Sequence, residues 1–158
     1  MSIYVNRQSK QMGSMLLEAL IALLIFSMGI LAIVGLQTAS VKIAGDAKYR
    51  TEASLLANQL IGQMWVSNRT AATLRTNFSS TPQGAAYVAW AGSMPSPADG
   101  TVMATLPGVS AYPPTVTVQL VVGPTTTTSL VTITIFWKAP SDPAAAPPHQ
   151  YMTVAQII

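Results

Sequence analysis

The chain of 158 residues contains no cysteine, one histidine, and only eight basic and five acidic side chains. Without cysteine no disulfide enters the stability account. His149 stands alone in a Pro-rich stretch, and a single imidazole without cysteines or clustered carboxylates makes no metal site. No serine sits in a nucleophile-elbow pattern, and no Gly-rich loop follows a strand and opens a helix. Asp99 and Asp142 lie among Pro, Ala and Gly and read as turn residues. Trp65, Trp90 and Trp137 lack the basic patch that base stacking requires, so they read as core or interface anchors. These shortages point away from an enzyme, a metal or organic cofactor, a small-molecule substrate and a nucleic-acid partner. Half of the residues are apolar and 8% are charged, which excludes a chain disordered throughout. The length suits one small domain plus one long helix.

What the chain does have is a carboxylate inside an apolar run. Glu18 lies in Met15-Leu16-Leu17-Glu18-Ala19-Leu20-Ile21, and the nearest formal charges are Lys10 before it and Lys42 after it. From Ala19 to Leu36 only Ser27, Gly29 and Gly35 interrupt 18 residues of apolar sequence. At 1.5 Å per residue this run spans about 27 Å, close to the hydrocarbon thickness of a bilayer. A carboxylate within such a helix costs about 2.5–3.5 kcal/mol on insertion scales, so it needs a partner. Ser14 lies four residues earlier, on the same helical face. A cut after Gly13 would give Ser14 a cationic amine. A secretory signal places its apolar stretch before the cut; here the apolar segment follows it and stays in the mature chain. Arg7 and Lys10 precede the run, and the positive-inside rule puts them on the cytoplasmic face. Their removal lowers the net charge from +3 to +1.

Gly13, Ser14 and Glu18 followed by the long apolar helix resemble the class III signal of type IV pilins and type II secretion pseudopilins. The wider stretch Met15–Ile25, with Ser27-Met28-Gly29-Ile30-Leu31 and Gly35-Leu36-Gln37, is most similar to the PilV group of minor pilins. The likeness covers about a third of the chain. It implies removal of a leader, residues 1–13, by a prepilin peptidase that also methylates the Ser14 amine. It implies as partners the inner-membrane lipid, the major pilin and the other minor pilins. It also implies residence first in a bacterial inner membrane, with the C-terminal bulk in the periplasm, and then in a pilus at the cell surface. Ser14 departs from the usual Phe or Met after the cut, and Gly35 stands where major pilins commonly carry proline. The missing cysteines argue against a main fibre subunit. A pseudopilin of a type II secretion system, or a single-span periplasmic adhesin or binding module, shares the membrane chemistry.

The remaining sequence reads as an α+β fold of the type IV pilin kind, with a long N-terminal helix packed on a small antiparallel meander. Residues 14–38 form the transmembrane and assembly part of the helix, with Gly29 and Gly35 as positions of flexibility or close helix approach. Residues 39–69 continue it as an amphipathic helix ending near Asn68, about 80 Å from its start. Leu56, Leu60, Met64 and Trp65, with Ile61, form its apolar stripe. Residues 70–114, rich in Ser, Thr, Gly and Pro, read as a variable loop with a short helix near Thr70–Phe78 and a short strand near Thr101–Leu106. Residues 115–158 alternate apolar and polar side chains in Thr115–Val121, Leu130–Trp137 and Tyr151–Ile157, as three half-buried strands do. Val131, Ile133 and Ile135 face the helix stripe and complete the predicted core.

Overall fold

The structure, a computed structural model, describes residues 12–123 and 127–158. Most of the expected leader, including Arg7 and Lys10, and the centre of the loop before the second strand lie outside the described residues. The chain divides into two compact units, one ending at Ile43 and one running from Ala44 to Ile158. Helix α1, Met12–Val66, is 55 residues long and contributes to both.

In the first unit every described side chain from Ser14 to Ile43 is exposed. The helix forms there without tertiary packing, from a run of strong helix formers and apolar residues. Its hydroxyls are satisfied internally: Ser27 Oγ donates to the Leu23 carbonyl at 2.7 Å and Thr38 Oγ1 to the Val34 carbonyl at 3.1 Å. Such back-bonding lets a hydroxyl sit in an apolar helix without an unpaired polar group.

The second unit is α+β. After α1 come α2 (Ala71–Phe78), α3 (Ala85–Ala91) and α4 (Val102–Thr105), then β1 (Thr115–Val122), β2 (Thr127–Trp137) and β3 (His149–Ile157). The strands form one antiparallel sheet in the order β1-β2-β3. Side chains at alternate strand positions, among them Val116, Val118, Val131, Ile133, Ile135 and Trp137, turn inward onto Ala53, Leu56, Ala57, Leu60 and Met64 of α1. The long helix is therefore packed on the small sheet, as the strand alternation and the helix stripe require.

Three parts differ from the sequence expectation. Trp65 is not in the core: its exposure is 43%. The buried stripe advances by three and four residues, and Trp65 stands one residue past Met64, about 100° round the helix. The expected strand at Thr101–Leu106 is instead helix α4. Val102 and Leu106, both buried, stand four residues apart, as on one face of a helix. Thr101 turns the chain, its Oγ1 donating to the Ala98 carbonyl at 2.7 Å, and Thr105 N–H bonds back to the Thr101 carbonyl. Finally, the expected variable loop of 70–114 holds three helices, which place Leu74, Phe78, Tyr87, Trp90, Val102 and Leu106 in the core. Glycine makes the α2–α3 corner possible. A Cβ on Gly84 would overlap the Asn77 carbonyl, so the backbones meet there only because that side chain is missing.

Two buried aromatic groups tie these helices to the rest of the unit. Trp90 Nε1 donates to the Leu56 carbonyl of α1 at 2.9 Å, and Tyr87 Oη donates to the Pro114 carbonyl at 2.7 Å. Burial pushes the Tyr87 phenol above its ordinary pKa of 10.0.

Candidate functional site

Gly13 and Ser14 lie in the first turn of α1 as described, and Glu18 lies one turn further along the same helix. The Glu18 side chain is exposed and makes no hydrogen bond or ion pair among the described residues. Around and beyond it Leu16, Leu17, Leu20, Ile21, Leu24 and Ile25 are exposed too, each by half or more. No other described residue covers this surface. It is an apolar cylinder carrying one carboxylate near its start, and water is a poor environment for it. By length and composition α1 is able to cross a membrane, and none of its most apolar window is buried within the chain.

Gly29 and Gly35 fall inside this bare stretch, and a Cβ added at either would meet nothing. Neither glycine accommodates a neighbour among the described residues. Leu56, Leu60, Met64, Val131, Ile133 and Ile135 all lie in the helix–sheet core, and only Trp65 of that group does not.

The polar groups of the second unit are engaged in structure. His149 is the first residue of β3; its ring stacks on Trp137, centroids 5.7 Å apart, and its Nε2 lies 3.0 Å from Asp142 Oδ2. The same Asp142 oxygen accepts the Ala139 N–H at 3.0 Å. Lys138 Nζ donates to the carbonyls of Ala144 and Ala146. This set closes the β2–β3 connection, so His149 is a pinned strand residue rather than a loose loop side chain. Among the described residues no three His, Cys, Asp or Glu side chains gather at one place.

Sequence reasoning missed the two aromatic ties and a latch on β1. Arg75 donates through Nε and Nη2 to the Val118 carbonyl, both at 3.3 Å, and Ser80 exchanges hydrogen bonds with the Val116 backbone. Tyr87 and Trp90, spaced i and i+3 among alanines, were the available signal for a buried helix face. The surrounding Pro and Gly obscured it.

No family model, curated protein or solved structure matches this chain.

Proposed function

We propose that this chain is a type IV pilin-like structural subunit, a minor pilin of the PilV kind. It is held in the bacterial inner membrane by α1, cut between Gly13 and Ser14, methylated on the new amine, and taken into a pilus, at or near its tip, where it primes assembly with the other minor pilins and the major pilin. The observation that supports this reading best is Glu18, a lone carboxylate on a helix surface that is otherwise bare and apolar, four residues after the candidate cut.

The physical logic is electrostatic. In hydrocarbon an unpaired carboxylate and an unpaired ammonium are each costly, and together they relieve one another. Within one chain Glu18 lies one turn from the Ser14 amine and near the positive end of the helix dipole, which also favours an anion. Between chains, the amine of one subunit meets the carboxylate of its neighbour only at one axial offset. A single acid thereby sets the stagger of packed helices. The bare apolar surface from Met15 to Ile43 supplies the packing area, and Gly29 and Gly35 permit close approach or local bending when a subunit leaves the bilayer.

The test is a pair of variants expressed beside the native pilus machinery. Gly13→Ala should reduce cleavage strongly, because the resemblance to the class III signal places glycine at the cut. Glu18→Ala should be cut normally but enter sheared pili poorly. Equal incorporation of the Glu18 variant would remove the proposed role of the carboxylate.

A further inference from the structure

The two edges of the sheet are treated differently. Ser80 bonds both the N–H and the carbonyl of Val116, and Arg75 bonds the carbonyl of Val118, so these β1 residues direct their backbone groups away from β2. In an antiparallel ladder residues alternate between pairing inward and facing out. Thr115, Thr117 and Gln119 therefore pair with Thr134, Thr132 and Leu130 of β2. The other β2 residues, Val131, Ile133 and Ile135, then pair with Ala155, Thr153 and Tyr151 of β3. This leaves Gln150, Met152, Val154 and Gln156 with their N–H and carbonyl groups aimed off the far edge. None of these groups has a partner among the described residues. The first half of the β1 edge is latched by the chain itself, whereas no outward group of β3 has a described partner along the whole strand.

Natural sheets guard an open edge with lysine, proline, a bulge or a very short strand. β3 has none of these: it runs nine residues, pairs with β2 without a break, and carries no charged side chain or proline after His149. Met152 and Val154 are also exposed on the outer face. We infer that the free edge of β3 is a docking site for an extended, uncharged strand of a different polypeptide, which adds as a fourth strand beside it. Backbone hydrogen bonds supply the affinity in this mode of recognition, and the side chains at alternate positions set the preference. A charge on the incoming strand would find no opposite charge on β3 and would lie beside the apolar Met152 and Val154, so an uncharged β-branched segment fits. A second copy is excluded on symmetry. Two β3 edges pair antiparallel about a two-fold axis normal to the sheet, which turns the α1 segment packed on the sheet end for end. Copies whose sheet-packed α1 segments run side by side in one sense, as the proposed assembly requires, do not meet that way. This exclusion rests on the anchoring proposed above, whereas the open edge does not.

Amide hydrogen exchange on the full chain in detergent micelles tests the site. The probe is an end-capped eight-residue peptide of alternating Thr and Val. Without peptide, the amides of Tyr151, Thr153 and Ala155 should exchange slowly and those of Met152, Val154 and Gln156 fast. Saturating peptide should slow the second set by at least about tenfold and leave the first unchanged. Val154→Pro removes an outward N–H without breaking the ladder to β2, so it should abolish the effect while Thr153 and Ala155 stay protected. Fast exchange at Met152 and Val154 under millimolar peptide overturns the proposal. So does slow exchange there without peptide, because the edge is then already covered. The mass of the mature N terminus is independent of all these outcomes, so a retained leader would sink the assembly role and leave the edge result standing.

Discussion

Single side chains in this protein do two kinds of work. Glu18 takes no part in the core: its carboxylate makes no hydrogen bond or ion pair among the described residues, and removing it leaves the core of the second unit intact. Its replacement by Ala should therefore leave the thermal stability of that unit unchanged while lowering incorporation into fibres, a split that circular dichroism and blots of sheared pili together resolve. Tyr87 is the opposite case. Its hydroxyl satisfies the Pro114 carbonyl in the interior, and burial raises its pKa above 10.0. Below pH 10 the phenol is protonated in both folded and unfolded chains, so it makes stability no function of pH there. Above pH 10 the unfolded chain sheds the proton first, and stability falls as pH rises through the folded value. Tyr87→Phe should remove that alkaline loss, seen as a flatter melting temperature between pH 9 and 11. At neutral pH it should cost about 1–3 kcal/mol, because a buried carbonyl is left unpaired.

Periodicity made some elements legible and concealed others. The strands announce themselves because one face of each is buried: Val131, Ile133, Ile135 and Trp137 alternate with Thr132, Thr134 and Phe136, and the structure places the first set in the core. The long helix is equally plain, although the exact face is not, since Leu56, Leu60, Ile61, Met64 and Trp65 fit more than one stripe. Tertiary packing chooses Leu56, Leu60 and Met64 and turns Trp65 outward. Leu60→Ala should thus cost about 2–5 kcal/mol in denaturant unfolding, as a fully buried leucine does. Trp65→Ala should cost under about 1 kcal/mol, as exposed positions do. Helices α3 and α4 escaped notice for a physical reason: seven and four residues are too short for a helical period to stand out. Their stability comes from Trp90, Tyr87 and Val102 meeting side chains distant in sequence, and no local signal records that. The open edge of β3 was likewise invisible, because it depends on which strand neighbours which.

At the scale of the whole molecule the chain keeps two kinds of surface apart. Every residue of the hydrophobic core lies between Ala53 and Ile157, within the unit that begins at Ala44, and the bare apolar surface lies before it. A protein begun at Ala44 should therefore fold in water without detergent and unfold cooperatively, whereas the full chain should require detergent or lipid. The long apolar stretch of α1 contributes no core packing, so the account gives it one task, insertion into lipid and then packing against the same stretch of neighbouring subunits. That task depends on an ammonium appearing at Ser14, one turn before Glu18. Mass spectrometry of the purified mature protein, from cells with and without an active prepilin peptidase, tests this most directly. The account predicts a chain beginning at a methylated Ser14 in the first case and at Met1 in the second. A mature chain still carrying its first thirteen residues, in cells that process their other pilins, would contradict it.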